Sequence, residues 1–129
     1  MKISSRGRYA VRIMAELART KDVISVNEIS QSQGITIKYT EKIIRLLVKN
    51  GLVKSARGAF GGYVLLKDAS QYTIAEILSV TGDMPLLAPC FKAEIDCPRK
   101  QTCKSFGVWE QLDKLIYDYL SNVTLDKLC

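Results

Sequence analysis

Hydrophobic side chains recur at helical spacing along the first half of the chain and predict successive short helices. The first covers about residues 5–19 and has one apolar face, formed by Ala10, Ile13, Met14, Leu17 and Ala18. Ser25, followed three residues later by Glu28, is a capping box that predicts a second helix through Gln33. Gly34 is expected to end this helix, because glycine readily adopts the left-handed conformation of a C-cap.

A third helix is predicted over residues 37–50, because Thr36 can cap its start and Gly51 can end it. Its expected buried side consists of Ile43, Leu46 and Leu47. The opposite side carries four cations at steps of four, three and four, namely Lys38, Lys42, Arg45 and Lys49. These cations form a row about 16 Å long, as the recognition helix of a helix-turn-helix presents to DNA.

A β-hairpin pattern follows the third helix. Two strand-like segments, residues 52–57 and 63–66, flank the glycine-rich sequence GAFGGY at residues 58–63. We expect Gly61 and Gly62 to let the backbone approach another segment closely, since glycine has no side chain. Two short helices followed by a hairpin predict a winged helix-turn-helix, which is a DNA-binding motif.

The pattern changes in the second half of the chain. Thr73 and Glu76 again form a capping box, for a helix over residues 74–81 that Gly82 can close. Helical periodicity then stops over residues 83–102, where a continuous helix is precluded by Pro85, Pro89 and Pro98. An irregular segment of this length is uncommon in a compact domain and suggests a functional loop.

A long helix is predicted over residues 104–122, with a final turn over residues 125–128. Its apolar stripe consists of Trp109, Leu112, Ile116, Tyr119 or Leu120, and Val123. A small winged domain does not need such a face for its own core, so the helix either folds back onto its domain or pairs with a second copy. Pairing would set two recognition helices about one DNA turn apart, which favours a homodimer on a near-palindromic operator.

These elements predict a mainly α fold with a small β-hairpin wing, that is, a winged helix-turn-helix followed by a long dimerisation helix. The winged domain would occupy residues 1–82, a cysteine-bearing loop residues 83–103, and the dimerisation helix with its tail residues 104–129. A chain of 129 residues with 47% apolar content suits one compact domain with an added helix.

Positive charge is concentrated at the amino-terminal end. The net charge is +6, but residues 1–67 carry 13 basic and 4 acidic side chains, whereas residues 68–129 carry 6 and 9. Double-stranded DNA would therefore be drawn to the winged domain. Glu41 could accept a hydrogen bond from a cytosine amino group, and Arg57 could enter a minor groove or pair with phosphate. The predicted DNA contacts are Arg8, Thr36, Lys38, Tyr39, Glu41, Lys42, Arg45, Arg57, Gly58 and Gly61.

Three of the four cysteines fall in the irregular segment or at its exit, namely Cys90, Cys97 and Cys103. Three thiolates on a loop can converge on one soft centre, since a loop lets each side chain take its own direction. Structural zinc sites normally show Cys-x-x-Cys spacing, so the wider gaps here favour an iron-sulfur cluster. A disulfide switch needs only two of these thiols and stays open as an alternative.

Other function classes lack their sequence signals. The chain has no histidine, no nucleophile elbow and no paired-carboxylate motif, so we do not expect an enzyme. It shows no export signal and no run of about 20 apolar residues that would span a membrane, which predicts a cytoplasmic protein. Cysteines in the cytoplasm stay reduced and serve more often as ligands or sensors than as structural bridges.

Four segments together resemble the Rrf2 family of bacterial transcription regulators over nearly the whole chain. They are MKISSRGRYAV at residues 1–11, NGLVKS at 50–55, RGAFGGY at 57–63 and NVTL at 122–125. The resemblance implies a dimeric winged-helix factor, more commonly a repressor, whose long carboxy-terminal helices cross. It also implies that the loop holds a 2Fe-2S or 4Fe-4S cluster near the dimer interface. The matching cluster ligands are Cys90, Cys97 and Cys103.

Two departures from the family pattern leave the fourth ligand of such a cluster unknown. Some members place a histidine three residues after the third cysteine, where this chain has Phe106, and others use an acidic residue of the partner near position 8, where this chain has Arg8. The remaining candidates are a water, a small thiol, Glu94, Asp96, Glu110 and Cys129. Some members keep no cluster, so the alternative is a regulator of the same fold controlled by thiol oxidation or a partner protein, as in cysteine-metabolism repressors.

Overall fold

The computed structural model describes residues 2–58, 61–92 and 94–129. Over these residues the chain forms five α-helices and one two-stranded hairpin: α1 (Ser5–Thr20), α2 (Val26–Gln33), α3 (Ile37–Lys49), β1 (Val53–Ala56), β2 (Gly62–Leu65), α4 (Ile74–Val80) and α5 (Phe106–Asn122). Short 3-10 helices occur at Ala69–Gln71, Pro89–Phe91 and Leu125–Leu128. Ala59 and Phe60 in the predicted turn of the hairpin, together with Met1 and Ala93, lie outside the described residues.

The predicted fold class is confirmed, and side-chain caps explain why the first helices begin where the sequence places them. Ser25 Oγ accepts a hydrogen bond from the Glu28 amide, while the Glu28 carboxylate accepts one from the Ser25 amide at 2.8 Å. Hydrogen bonds from the Ser25 amide and hydroxyl lower the pKa of Glu28. Thr36 Oγ1 accepts from the Tyr39 amide at 3.2 Å and so starts α3. Gly34 between the two helices has φ +66°, as predicted for a glycine C-cap.

The capping box predicted at α4 forms only in part. Thr73 Oγ1 accepts a hydrogen bond from the Glu76 amide at 3.1 Å, but the Glu76 side chain does not bond to the Thr73 amide in the structure. The backbone of Thr73 pairs instead with Thr124 in an isolated β-bridge. Beside this bridge, the Leu125 amide donates to the Tyr72 carbonyl at 2.9 Å. The carboxy-terminal tail thereby returns to the core beside the start of α4.

The core contains side chains from α1, α3 and α4, including the predicted apolar face of α1. α3 buries Thr40, Ile43, Ile44 and Leu47. The sequence-based prediction of Leu46 in place of Ile44 was wrong, because Leu46 is only half-buried. At about 100° of rotation per residue, Ile44 lies on the same side of the helix as Thr40 and Leu47, whereas Leu46 lies toward its edge.

The wing is joined to the segment between α1 and α2. β1 and β2 pair antiparallel, with Val53 opposite Leu65. Tyr63 also pairs with Ile24, its amide donating to the Ile24 carbonyl at 2.8 Å. A Cβ added to Gly62 would collide with that carbonyl, so the expected close backbone approach is confirmed at Gly62. The wing is therefore held against the segment that leads into α2.

α5 packs along α4 through one edge only. Leu120 and Val123 are half-buried against the core, but no residue of α5 is fully buried. The helix begins two residues later than predicted, at Phe106, and the final turn at Leu125–Leu128 is confirmed. In the part of the chain that the structure describes, no helix is long and apolar enough to cross a membrane.

Candidate nucleic-acid interface and cysteine loop

The cationic row of α3 lies on its exposed face. All four members of the row are exposed: Lys38, Lys42, Arg45 and Lys49. None of them forms an ion pair with another described residue. The opposite face of α3 is fixed in the core by Ile43 and Leu47, so the helix cannot rotate to hide its charges. An unneutralised row of this kind is suited to the phosphates that border a DNA groove.

The remaining predicted residues of α3 divide into exposed and structural side chains. Thr36 is exposed, but its oxygen already accepts the capping hydrogen bond from Tyr39. Tyr39 is half-buried and meets the ring of Tyr9 edge-on, with 6.0 Å between the ring centroids. Glu41 is half-exposed and free of described ion pairs. The side chains of Lys38, Glu41 and Lys42 are thus accessible in the first turns of α3.

The wing presents its predicted residues to solvent beside α2. Arg57, Gly58 and Gly61 are all exposed. Gly58 has φ +135°, which a side chain would strain, and the Gly61 amide donates to the Gly58 carbonyl at 3.1 Å. A shallow groove runs between these residues and the start of α2 at Asn27. A second groove is lined by Arg45 of α3 and Ser55 of the wing, so the wing strands also border α3.

α1 adds two arginines of different character. Arg8, a predicted DNA contact, is exposed and bonds only to Ser5 Oγ at 3.2 Å among described residues. Arg12 was not assigned a function from the sequence. Its Nε donates to Gln33 Oε1 at 2.9 Å, its Nη2 donates to the Gln33 carbonyl at 3.0 Å, and its guanidinium lies 4.9 Å from the centroid of the Tyr9 ring. The three-residue step from Tyr9 to Arg12 could have predicted the contact with the ring, because residues three apart on a helix are neighbours. The hydrogen bonds to Gln33 join two helices and could not be predicted from local spacing.

The three loop cysteines have different surroundings. Cys90 lies in the 3-10 turn Pro89–Phe91 and is half-buried, as is Cys97, whereas Cys103 is exposed. Hydrogen bonds from the hydroxyl and amide of Ser105 lower the pKa of Cys103, and the charge of Arg99 acts in the same direction. The Cys103 and Ser105 side chains are 3.3 Å apart. Cys103 therefore has an increased tendency to form the thiolate that binds soft metals.

The donor chemistry of the loop fits a soft centre, but the thiols do not converge in the single chain. Among the described residues, no three His, Cys, Asp or Glu side chains lie close enough together to hold one metal ion. Binding would require the loop to bring Cys90, Cys97 and Cys103 together. All four protein candidates for a further ligand are exposed, namely Glu94, Asp96, Glu110 and Cys129. Cys129 lies 3.9 Å from the Ala15 carbonyl, on the side of α1.

The loop starts at a junction with the amino-terminal end of α1. The Ser4 amide donates to Asp83 Oδ1 at 3.1 Å, and Arg6 Nη2 donates to the Thr81 carbonyl at 2.6 Å. Arg6 Nε lies 3.9 Å from Asp83 Oδ2, and both atoms are buried without a hydrogen-bond partner among described residues. Burial alone would raise the pKa of Asp83, but the Ser4 hydrogen bonds and the Arg6 charge lower it. A Cβ on Gly7 would come 2.8 Å from Asp83 Cβ, so the two segments touch.

The exposed apolar row of α5 differs from the predicted stripe. Its members are Val108, Leu112, Leu115 and Tyr119, which are 59%, 41%, 65% and 69% exposed. The stripe predicted from the sequence contained Leu112 and Tyr119 but not Val108 or Leu115. Two other predicted members, Leu120 and Val123, pack on the chain's own core, whereas Trp109 is exposed. The spacing of four, three and four residues is that of helices that pair side by side.

Comparison with known proteins identifies relatives over nearly the entire chain. A model of the Rrf2 family, described as an iron-dependent transcriptional regulator, matches residues 3–129. The HTH-type transcriptional regulator IscR of Klebsiella pneumoniae (strain 342) is 35% identical over 130 residues, covering 99% of this chain and 79% of that protein.

Two solved structures of transcriptional regulators have the same fold. T. potens IscR has a TM-score of 0.74 and 33% identity, covering 98% of this chain and 84% of that chain. CymR, the global cysteine regulator of B. subtilis, has a TM-score of 0.81 and 32% identity, covering 99% of this chain and 95% of that chain. Relatives of this kind are regulators and not enzymes, in agreement with the sequence analysis. The chain belongs to the Rrf2 family of transcriptional regulators.

Proposed function

We propose that the chain is a homodimeric transcriptional regulator that inserts α3 into the major groove of a near-palindromic operator. The observation that carries this proposal is the row of four exposed cations on α3, on the face opposite its buried residues and beside the wing. Lys38, Glu41 and Lys42 would reach base edges, while Arg45 and Arg57 would contact phosphates. The family described as transcriptional regulators supports this assignment.

The DNA-binding proposal is tested by replacing cations of α3 and measuring affinity against salt. Arg45→Gln is expected to weaken binding to all duplexes and to reduce the slope of log K against log salt concentration by about two, because each subunit of the dimer loses one phosphate contact. Lys127→Gln, an exposed cation near the carboxy terminus, is the matched control and should leave both quantities unchanged. Equal effects of the two substitutions would contradict the assignment of α3 as the DNA-binding element.

Dimerisation through α5 is supported by its exposed apolar row. Val108, Leu112, Leu115 and Tyr119 would be buried between two copies, leaving the two recognition helices to face adjacent half-sites. A helix with this much apolar surface exposed is otherwise unfavourable in water. The operator would then be near-palindromic, because a two-fold protein reads two related half-sites.

We further propose that operator affinity is controlled by an iron-sulfur cluster held by Cys90, Cys97 and Cys103. The proposal rests on three soft ligands in one irregular loop, on the lowered pKa of Cys103, and on the description of the family as iron-dependent. Both 2Fe-2S and 4Fe-4S clusters are compatible with this ligand set, with the fourth ligand unassigned. A hundredfold difference in operator affinity between the two states corresponds to about 2.7 kcal/mol of coupling free energy.

Anaerobic purification decides whether the loop holds a cluster. We expect brown protein with iron and acid-labile sulfide, and a colourless but folded and dimeric Cys97→Ala variant. Cys129→Ala is the control for a cysteine outside the loop and should keep the colour unless Cys129 supplies the fourth ligand. A colourless wild-type dimer that resists reconstitution with iron and sulfide would contradict the cluster.

A second candidate is direct control by thiol oxidation, which the exposed Cys103 with its lowered pKa favours. The similarity to CymR, the global cysteine regulator of B. subtilis, also supports it. In this case the purified protein is colourless, and its DNA affinity changes with peroxide and recovers with dithiothreitol. Cys103→Ser should abolish that response. Unchanged affinity under both reagents would exclude this candidate and leave control by a partner protein.

A further inference from the structure

We infer that Arg12 is a positioning residue that sets the recognition helix, and that it does not act as a phosphate contact. The inference rests on the proposed binding of DNA by α3. Arg12 lies on the same exposed side of α1 as Arg8, four residues earlier, and both would be counted as DNA-facing cations from the sequence. Their contacts within the chain separate them.

The guanidinium of Arg12 holds the carboxy-terminal end of α2. Nε donates to the side-chain oxygen of Gln33 at 2.9 Å, and Nη2 donates to the backbone carbonyl of the same residue at 3.0 Å. Gln33 is the last residue of α2, and its carbonyl is one of those that a helix leaves without an internal partner. Arg12 therefore fixes α1 to the residue immediately before the turn at Gly34.

The flat face of the same guanidinium continues the connection to α3. It lies 4.9 Å from the centroid of the Tyr9 ring, and Tyr9 meets Tyr39 edge-on at a ring angle of 89°. Tyr39 lies in the first turn of α3, where its amide bonds to Thr36. One side chain is thus connected to both sides of the α2–α3 turn, directly to Gln33 and through Tyr9 to the start of the recognition helix.

These contacts engage two of the five guanidinium donors, at the edge formed by Nε and Nη2, together with one face of the group. Two donors of the Arg12 fork bind Gln33 and its face covers Tyr9, whereas Arg8 makes a single described bond, to Ser5. A lysine at position 12 would keep the positive charge but could not donate to both Gln33 oxygens while lying flat on the ring. Arg12→Lys consequently separates a positioning role from a charge role, and Arg8→Gln is the matched charge removal.

The first measurement is affinity against salt for the full-length chain, using a labelled duplex that the wild type selects from a random pool and an unrelated duplex. Arg12→Lys should weaken binding to the selected duplex about tenfold, with the salt slope and the affinity for the unrelated duplex unchanged. Arg8→Gln should weaken binding to both duplexes and lower the slope by about two, one for each subunit of the proposed dimer. Wild-type affinity in Arg12→Lys, combined with a lower slope in Arg12→Gln, would overturn the inference.

The second measurement needs no DNA and keeps the inference separate from the proposed function. Amide hydrogen exchange in the free protein should accelerate over residues 34–39 in Arg12→Lys, with residues 74–80 of α4 unchanged as an internal control for folding. Unchanged exchange over residues 34–39 would overturn the positioning role, whatever the DNA result. If the wild type selects no duplex, DNA recognition by α3 fails as a proposal, and the exchange result alone decides the role of Arg12.

Discussion

The winged domain and the carboxy-terminal region use apolar side chains in opposite ways. In α3, Ile43 and Leu47 are completely buried, whereas in α5, Leu115 and Tyr119 are 65% and 69% exposed. The helices α2, α3 and α4 each begin with a side-chain cap, but α5 begins after Ser105 without one. The proposed DNA-binding surface is complete within one chain. The proposed sensing region leaves an apolar row on α5 and the thiol of Cys103 exposed, which the proposed dimer and cluster would cover.

The largest expected effect is on the stability of the winged domain. Ile43→Ala should lower the free energy of unfolding by about 2–5 kcal/mol, because it leaves a cavity in the core. Leu115→Ala, at an exposed position of α5, is the matched truncation. Its effect should depend on protein concentration, since Leu115 would contribute only within a dimer. Urea denaturation at two protein concentrations measures both effects. A large decrease in the free energy of unfolding of Leu115→Ala that does not depend on protein concentration would contradict the view that Leu115 contributes only within a dimer.

The second prediction concerns assembly and its effect on DNA binding. Leu115→Glu places a charge in the exposed apolar row and should give a monomer by sedimentation, with operator affinity reduced on the order of 100-fold because the two half-sites are no longer bound together. Lys114→Gln removes one positive charge at the adjacent position, outside the row, and should remain dimeric. A dimeric Leu115→Glu variant would show that α5 is covered in another way.

Alanine substitutions at one glycine of each region, Gly7 and Gly107, should have opposite effects on stability. A Cβ at Gly7 would lie 2.8 Å from Asp83 Cβ, so Gly7→Ala should destabilise the fold by about 1–3 kcal/mol through overpacking. A Cβ at Gly107 in α5 would meet no described heavy atom within 4 Å. Gly107→Ala should therefore stabilise the protein by about 0.5–1 kcal/mol, because alanine favours the helix. Thermal unfolding measures both, and a destabilising Gly107→Ala would indicate that a second molecule covers this position.

The sequence predicted those parts of the fold that local rules determine. The Ser25–Glu28 capping box and the glycine at position 34 fixed the bounds of α2, because caps act within one turn of the chain. Leu46 was misassigned because it lies at one edge of the apolar face of α3 and Ile44 at the other. The elements packed against α3 decide which edge is buried, and a pattern within the helix does not show this. The Thr73–Thr124 bridge joins residues far apart in the chain, and no local pattern indicates it.

The same distinction applies to the candidate site. The cations of α3 are separated by helical steps, so the sequence placed Lys38 and Lys42 on one exposed face. The contact of Arg12 with Gln33 crosses between two helices and became visible only with the fold. The division into residues 1–82, 83–103 and 104–129 stays a prediction. So does the convergence of the loop thiols, because it depends on a ligand or partner that a single chain does not supply.

The smallest expected effect concerns the junction where the winged domain meets the loop. At neutral pH, Asp83→Asn should lower stability by less than about 1 kcal/mol, because Arg6 Nε is 3.9 Å from the carboxylate and the Arg6 side chain is 43% exposed. The pKa of Asp83 is lowered in the folded chain, so its ionised form stabilises the fold at pH values above the ordinary value of 3.8. This contribution is lost as pH falls through the lowered pKa, when the folded carboxyl group also becomes protonated.

The measurement that isolates Asp83 is the difference in unfolding free energy between wild type and Asp83→Asn, followed by urea denaturation from pH 7 down to pH 3. The difference should shrink toward acid pH, because Asp83 becomes protonated and loses its charge. Other carboxyl groups titrate in both proteins, so their contributions cancel in the difference. Glu94→Gln, an exposed carboxylate in the loop, is the control and should give a small difference at every pH. A difference for Asp83→Asn that grows toward acid pH would mean that the charged carboxylate opposes folding. In that case the charge of Asp83 would destabilise the junction, and the packing of Gly7 on Asp83 would hold the two segments together.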